Sequence, residues 1–216
     1  MTVGRYLRLR FERLFRFVFW SLNLIYSFPM HRKVQQAVSF FYSQWIIANI
    51  KEAGKGILFF RPVELVGGKY ISIGNMTKFG HHCVLTAWEH IDAAKTTPKL
   101  VIGTNCDFGE YNHISCANTI IIGNGVLSGR WVTIVDNSHG DNSISQMKMS
   151  PASRPIFSKG TIKIGDNVWL GDKVTILPEV EIGEGSIIAA NSVVTHDIPS
   201  FSIAAGCPAK VIKSNT

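Results

Sequence analysis

A residue suited to a narrow apolar core returns at every sixth position along much of this chain, and that period excludes most folds. The clearest run is Ile164-Gly-Asp-Asn-Val-Trp, Leu170-Gly-Asp-Lys-Val-Thr, Ile176-Leu-Pro-Glu-Val-Glu, Ile182-Gly-Glu-Gly-Ser-Ile, Ile188-Ala-Ala-Asn-Ser-Val, Val194-Thr. Earlier pieces are Ile73-Gly74 with Thr77, Phe79-Gly80 with Cys83, and Leu85. They continue with Ile102-Gly103 and Cys106, Phe108-Gly109 and Ile114, then Ile122-Gly123 with Val126, Ser128-Gly129 with Val132, and Ile134. Ile57 and Val63 start an imperfect first coil. Six residues are not close to a whole number of 3.6-residue turns, so this is no helical stripe. The period suits a short strand followed by a corner: the large residue points inward, Gly permits the tight corner, and a small residue fills the remaining interior. Three such sides close a triangular coil, and stacked coils make a solenoid.

The fold expected is therefore an all-β solenoid, a parallel β-helix preceded by a helical segment. Residues 1–55 form the basic, apolar helical part, 56–198 the solenoid, and 199–216 a C-terminal cap and tail. With 216 residues, 46% hydrophobic and 17% charged, the chain can bury one core of moderate size.

The net charge of +7 is unevenly placed. Before Val63 stand Arg5, Arg8, Arg10, Arg13, Arg16, Arg32, Lys33, Lys51, Lys55 and Arg61, opposed only by Glu12 and Glu52. The repeat region is nearly neutral, so the basic balance does not point to nucleic acid. The basic part is also rich in Phe, Leu and Trp, which fits a membrane surface.

From Arg5 to Arg16 the pattern is helical, with Leu7, Phe11, Leu14, Phe15 and Val18 on one face and Arg5, Arg8, Glu12 and Arg16 opposite. The apolar run from Phe17 to Phe28 is too short for the roughly 20 residues that span a bilayer, and Pro29 stops it. The charge order is that of a signal peptide, but no small-x-small cleavage site follows. Two readings stay open: an interfacial helix on the inner membrane surface, through residues 1–30, or a cap on the solenoid's end. A second helix, roughly Val34 to Ile50, reads as packing.

Cys83, Cys106, Cys116 and Cys207 form no CxxC pair and no metal-ligand spacing with histidine. They read as reduced packing residues, as suits a cytoplasmic protein.

Breaks in the period mark where something other than stacking is needed. One lies between Leu85 and Leu100 and contains Trp88, Glu89, His90 and Asp92. The larger runs from Val135 to Gly160 and opens Val135-Asp136-Asn137-Ser138-His139-Gly140.

The stretch from about Ile71 to Lys213, most of all Ile162 to Ile212, resembles the hexapeptide-repeat acyltransferases. Ala205-Gly206-Cys207-Pro208-Ala209-Lys210-Val211-Ile212-Lys213 is similar to their closing motif. Within that family the chain looks most like the sugar O-acetyltransferases of bacterial polysaccharide synthesis and the maltose and galactoside acetyltransferases. The resemblance implies a left-handed β-helix, an exception to the usual crossover hand. It implies acetyl-CoA as co-substrate, no metal, a homotrimer, and a sugar or glycan acceptor.

Matching Val132-Thr133-Ile134 to the family's strand before its active-site loop places His139 on the catalytic histidine. Relatives of the polysaccharide branch often carry another histidine two places earlier, where this chain has Asn137. An imidazole that titrates near neutrality can take the proton from a sugar hydroxyl as it attacks the thioester. Asp136 orients that ring or binds sugar hydroxyls, or is a turn former. Asn112, His113 and Asn137 are the candidate acceptor contacts. The resemblance puts CoA contacts at Trp169, Gly171, Ala190, Thr195, Lys210 and Lys213, with Asp172 where some relatives carry a small hydroxyl residue. Three alternatives remain: a sugar N-acetyltransferase, a γ-carbonic-anhydrase-like metal enzyme on the same fold, and a non-catalytic scaffold.

Overall fold

The six-residue period becomes three flat walls that the chain visits in rotation. The structure is a computed structural model that describes residues 3–91, 94, 95 and 97–215. The first wall stacks Glu52–Ala53, Ile71–Ile73, Lys99–Ile102, Thr119–Ile122, Ile162–Ile164 and Glu181–Ile182. The second stacks Leu58–Phe59, Lys78–Phe79, Asp107–Phe108, Leu127–Ser128, Trp169–Leu170, Ile187–Ile188 and Ser202–Gly206. The third stacks Glu64–Val66, Val84–Ala87, His113–Cys116, Thr133–Val135, Thr175–Ile176 and Val193–Val194. Every pairing between the strands named is parallel, and the final strand, Ala209–Ser214, runs antiparallel along Ser202–Gly206 at the end of the second wall. The stack thus begins at Glu52 and continues past residue 198.

Register partners show where the period is kept. Ile176 and Val194 stand 18 residues apart, three sixes. Leu65 and Leu85 stand 20 apart, Leu85 and Ile114 stand 29, and Ile134 and Ile176 stand 42. Within each of the first four coils the steps from first to second wall and from second to third remain six. All the extra residues leave from one edge of the prism, between the third wall and the first.

The core is a set of columns, one inward residue per wall per coil. Phe59, Phe79 and Phe108 stack face to face in the second wall, with ring centroids 4.8 and 5.0 Å apart. That interval is the spacing between hydrogen-bonded strands, so the backbone ladder sets the ring stack. Leu65, Leu85, Ile114, Ile134, Ile176 and Val194 form the matching column of the third wall.

The corner chemistry differs from expectation. The residue in the left-handed region is not the repeat glycine but the one two places later: His82, Tyr111, Trp131, Lys173 and Asn191, with φ between 59° and 62°. The glycines answer to a different constraint. A Cβ on Gly109 would lie 2.4 Å from the carbonyl oxygen of Gly129 in the next coil, closer than a side chain tolerates. On the outer surface His82, Tyr111 and Trp131 stack, with centroids 4.7 and 4.1 Å apart.

Two compact units are present, residues 1–41 and 42–216. In the first, α1 (Val3–Ile25) and the start of α2 (Phe28–Ile47) meet at Ser27, whose hydroxyl accepts from the Met30 N–H at 3.3 Å. Pro29 does not stop a helix here. It sits in the first turn of α2, where its missing N–H has no bond to lose. In the second unit, the end of α2 closes the first coil. Ile46 joins the core, the Ser43 hydroxyl accepts from the Phe59 N–H at 2.7 Å, and the Tyr42 hydroxyl accepts from the Val63 N–H at 3.1 Å. No helix among the described residues is long and apolar enough to cross a membrane.

Candidate active site

Both long interruptions of the repeat are tied to one residue of the third wall. Outward positions of that wall form columns: Val66, Thr86, Ser115 and Val135 in one, and Glu64, Val84, His113, Thr133, Thr175 and Val193 in the other. Ser115 is nearly buried, and its hydroxyl accepts from the Trp88 indole N–H at 3.2 Å and from the Asn137 amide at 3.2 Å. Trp88 opens the shorter interruption and Asn137 the longer. Asn137 also donates to the Ser115 carbonyl at 3.0 Å.

The root of the long loop is fixed by Asp136. Its side chain is fully buried, and its two oxygens accept from the backbone N–H groups of Ala117 at 2.7 Å and Asn118 at 2.9 Å, at the equivalent corner one coil earlier. Among the described residues it makes no hydrogen bond to His139. Asp136 is thus a brace for the loop, which corrects the expectation that it orients the imidazole or meets a sugar. A buried carboxylate is tolerated because charge-assisted bonds to peptide N–H groups replace its water.

From that root the chain runs out as Asn137–His139, paired antiparallel with Ile156–Ser158, His139 opposite Ile156. His139 is exposed, and its ring has no hydrogen-bond partner among the described residues. Gly140 turns the chain back with φ of 94°, a backbone state that disfavours any other residue, and its N–H donates to the Pro155 carbonyl at 2.7 Å. The loop braces itself further out. The Gln146 side chain accepts from the Asp141 N–H at 2.8 Å, and Arg154 donates to the carbonyls of Met149 and Met147, each at 3.2 Å. Ile144, Met147 and Phe157 are exposed on this loop.

Of the candidate acceptor contacts, His113 is exposed on the third wall beside Val84 and Thr133. Asn112 is different. It is 2% exposed, its amide donates to the Ser128 hydroxyl, and its carbonyl accepts from the Val132 N–H at 2.7 Å. Both ends are engaged inside the stack, so Asn112 is an interior tie between coils and not a substrate contact. Asn137, half-buried, directs its amide at Ser115 and Asp136.

The candidate CoA residues fall elsewhere. Trp169 is half exposed on the second wall, and Gly171 and Ala190 stack in successive coils at the corner that follows. Lys210 and Lys213 are exposed on the last strand, which extends the same wall. Thr195 lies just past the third wall, with its hydroxyl 2.8 Å from His196 Nδ1. Asp172 accepts from the Arg130 N–H at 2.8 Å and is a corner brace of the same kind as Asn75, Asn124 and Asp166. The loop carrying His139 therefore leaves the prism at one edge, and Trp169, Gly171 and Ala190 lie along another face and edge.

Two features escaped the sequence reading. The Asn or Asp that follows many repeat glycines braces the coil before it, and the Gly-Asp and Gly-Asn pairs were its signal. Ser115 had no signal, because its partners come from two separate insertions. Cys83, Cys106 and Cys116 are buried as expected, whereas Cys207 is exposed and is not a packing residue. Burial raises the thiol of Cys83 to about 11 and raises that of Cys106. Burial, then the charge of Asp136, raises that of Cys116. No group of three or more His, Cys, Asp or Glu side chains able to hold a metal occurs among the described residues.

Residues 161–196 match the family described as bacterial transferase hexapeptide (six repeats). The chain is 38% identical over 112 residues to WbbJ of Escherichia coli K12, whose name assigns it to lipopolysaccharide biosynthesis as an O-acetyl transferase. The match covers 50% of this chain and 57% of WbbJ. Among solved structures, the chain is similar to a maltose O-acetyltransferase from Clostridium difficile 630, with TM-score 0.53 and 26% identity over 80% of this chain and 73% of that one. It is also similar to VCA0836 of Vibrio cholerae, a hexapeptide-repeat acetyltransferase complexed with acetyl coenzyme A, with TM-score 0.50 and 26% identity over 78% and 73%. The chain spans about half the length of the curated relatives it matches. In its repeat, its three-walled coil and these likenesses, the chain carries the bacterial transferase hexapeptide and resembles the acetyltransferases built from it.

Proposed function

We propose that this chain transfers an acetyl group from acetyl-CoA to a sugar hydroxyl, with His139 as general base. The observation that carries the reading is the placement of His139. It is an exposed imidazole on a self-braced loop whose root is held rigidly to the third wall by Asp136 and Asn137. The relatives named O-acetyl transferases, and the acetyl coenzyme A held by VCA0836, support the donor and the acceptor class. A left-handed winding goes with that family resemblance.

In the reaction the neutral imidazole removes the hydroxyl proton as the sugar oxygen attacks the thioester carbonyl. The tetrahedral intermediate collapses with cleavage of the C–S bond, and the imidazolium returns the proton to the departing CoA sulfur. Atoms and charge balance without a covalent enzyme intermediate. In this reading Trp169, Gly171, Ala190 and Thr195 contact the pantetheine arm, and Lys210 and Lys213 meet the phosphates as point charges.

The loop of His139 and the CoA residues sit at different edges of the prism. That separation, with exposed Ile144, Met147 and Phe157 on the loop, supports a homotrimer in which His139 of one protomer works against the coils of the next. Val135 and His113, at outward positions of the third wall that are not buried, are the side offered to the acceptor.

An acceptor screen with acetyl-CoA, following thiol release, tests the reaction. Release that requires a sugar acceptor and disappears in His139→Ala supports it. Full activity of His139→Ala rejects the base assignment, and a product that is an amide directs the reading to amino sugars. Light scattering of the same preparation tests the trimer.

A further inference from the structure

From Phe11 to Trp20 every residue of α1 is exposed, and none of the helix's described side chains is buried. The exposure is not random. Phe11, Leu14, Phe15, Val18 and Leu22 recur at three- and four-residue intervals and form one stripe, each between 40% and 60% exposed. Arg13 and Arg16 stand off that stripe, and Arg8 borders it beside Phe11 and Phe15. Arg8 pairs with Glu12 at 3.3 Å, and Arg13 and Arg16 have no carboxylate partner among the described residues.

Such a helix needs a surface that is apolar beneath and negative at its margin. It cannot cross a bilayer, because arginines and Glu12 interrupt it. A second copy of α1 would supply an apolar stripe but would set arginine against arginine. An acidic lipid leaflet supplies both features at once: acyl chains for the phenylalanine stripe and phosphates for the guanidiniums. Arg is well suited to the latter because its planar fork matches phosphate oxygens. Trp20, 61% exposed beyond the last arginine, is a residue type that favours the headgroup boundary.

We infer that α1 is an interfacial anchor that lies in the plane of an acidic phospholipid surface, with Phe11, Phe15 and Leu22 in the acyl region and Arg13 and Arg16 at the phosphates. The chain is then a peripheral membrane protein. This inference does not depend on the reaction proposed above, since lipid binding is measured without substrate.

The experiment is co-sedimentation of the full chain with vesicles of phosphatidylcholine alone or mixed with phosphatidylglycerol. Binding at least tenfold tighter to the acidic vesicles is expected, weakened by salt. Arg13→Glu with Arg16→Glu, and separately Phe15→Ser with Leu22→Ser, each lower that binding at least tenfold. Equal binding of the parent chain to both vesicle types overturns the inference without recourse to any variant. So does an absence of vesicle binding accompanied by concentration-dependent association that the Phe15 and Leu22 changes abolish, which would assign the stripe to a second copy.

Discussion

The indole N–H of Trp88 donates to the hydroxyl of Ser115 at 3.2 Å, and this bond fastens the first interruption of the repeat to the wall from which the second springs. The same hydroxyl receives Asn137, two residues before His139. Ser115→Ala leaves Asn137 its bonds to the Ser115 carbonyl and to Asp136 but frees Trp88. With a net hydrogen bond worth about 1 kcal/mol, the thermal midpoint should fall only slightly. Because the Ser115 hydroxyl also anchors Asn137 at the root of the loop that carries His139, the substitution is expected to lower kcat by about 3- to 10-fold at unchanged KM for acetyl-CoA. Steady-state kinetics in both substrates checks this, and an unchanged kcat would show Ser115 to be structural only.

Asp136 should matter to stability more than any other charged residue near the loop. Asp136→Ala strands the buried N–H groups of Ala117 and Asn118, and leaving two such donors unpartnered costs about 2–5 kcal/mol. Asp136→Asn retains one acceptor and should lose roughly half as much. Urea unfolding of both variants measures the ordering.

His139→Ala is expected to behave in the opposite way. The ring is exposed and touches no hydrogen-bond partner among the described residues, so unfolding should be unchanged within about 0.5 kcal/mol. Acetyl transfer should fall at least about 100-fold, the range for loss of a general base.

Thiol chemistry offers a check on burial. At pH 8 Cys207 should react with a thiol reagent in the folded chain, while Cys83, Cys106 and Cys116 react only after unfolding. The Cys83 thiol ionises near 9.0 when unperturbed and at about 11 in the folded chain. Because the folded-state value is raised, its contribution to stability is complete below pH 9 and is lost as the pH climbs toward 11. Cys83→Ala should therefore lose less stability than the parent between pH 8 and pH 10.5, as followed by denaturant titration at each pH.

The repeat was legible because its cause is local. Every inward residue of the run from Ile164 to Val194 occupies the position its six-residue phase assigns, and the two long breaks in phase are places where the chain leaves the prism. The location of His139 at the mouth of the longer break was legible for the same reason, and its role as base is the proposal made above. Asn112 and Asp136 were misread because a polar residue beside a break looks the same in sequence whether it faces water or the interior. One lies inside the stack tied to Ser128 and Val132, the other beneath the loop tied to Ala117 and Asn118.

The sequence by itself determined a coil with sides of six residues, since only such a side keeps large residues inward at that period, and the 18-residue offset of Ile176 and Val194 makes the sides three. It also determined which segments must lie outside the walls. The tertiary structure alone decided which polar groups meet. Register partners stand 20, 29 or 42 residues apart wherever an insertion intervenes. A hydrogen bond from one coil to the next depends on that offset and on the few ångströms between strands, and neither is written in the neighbourhood of the residues that make it. Ser115 became the junction of Trp88 and Asn137 only when stacking brought those distant stretches to the same wall.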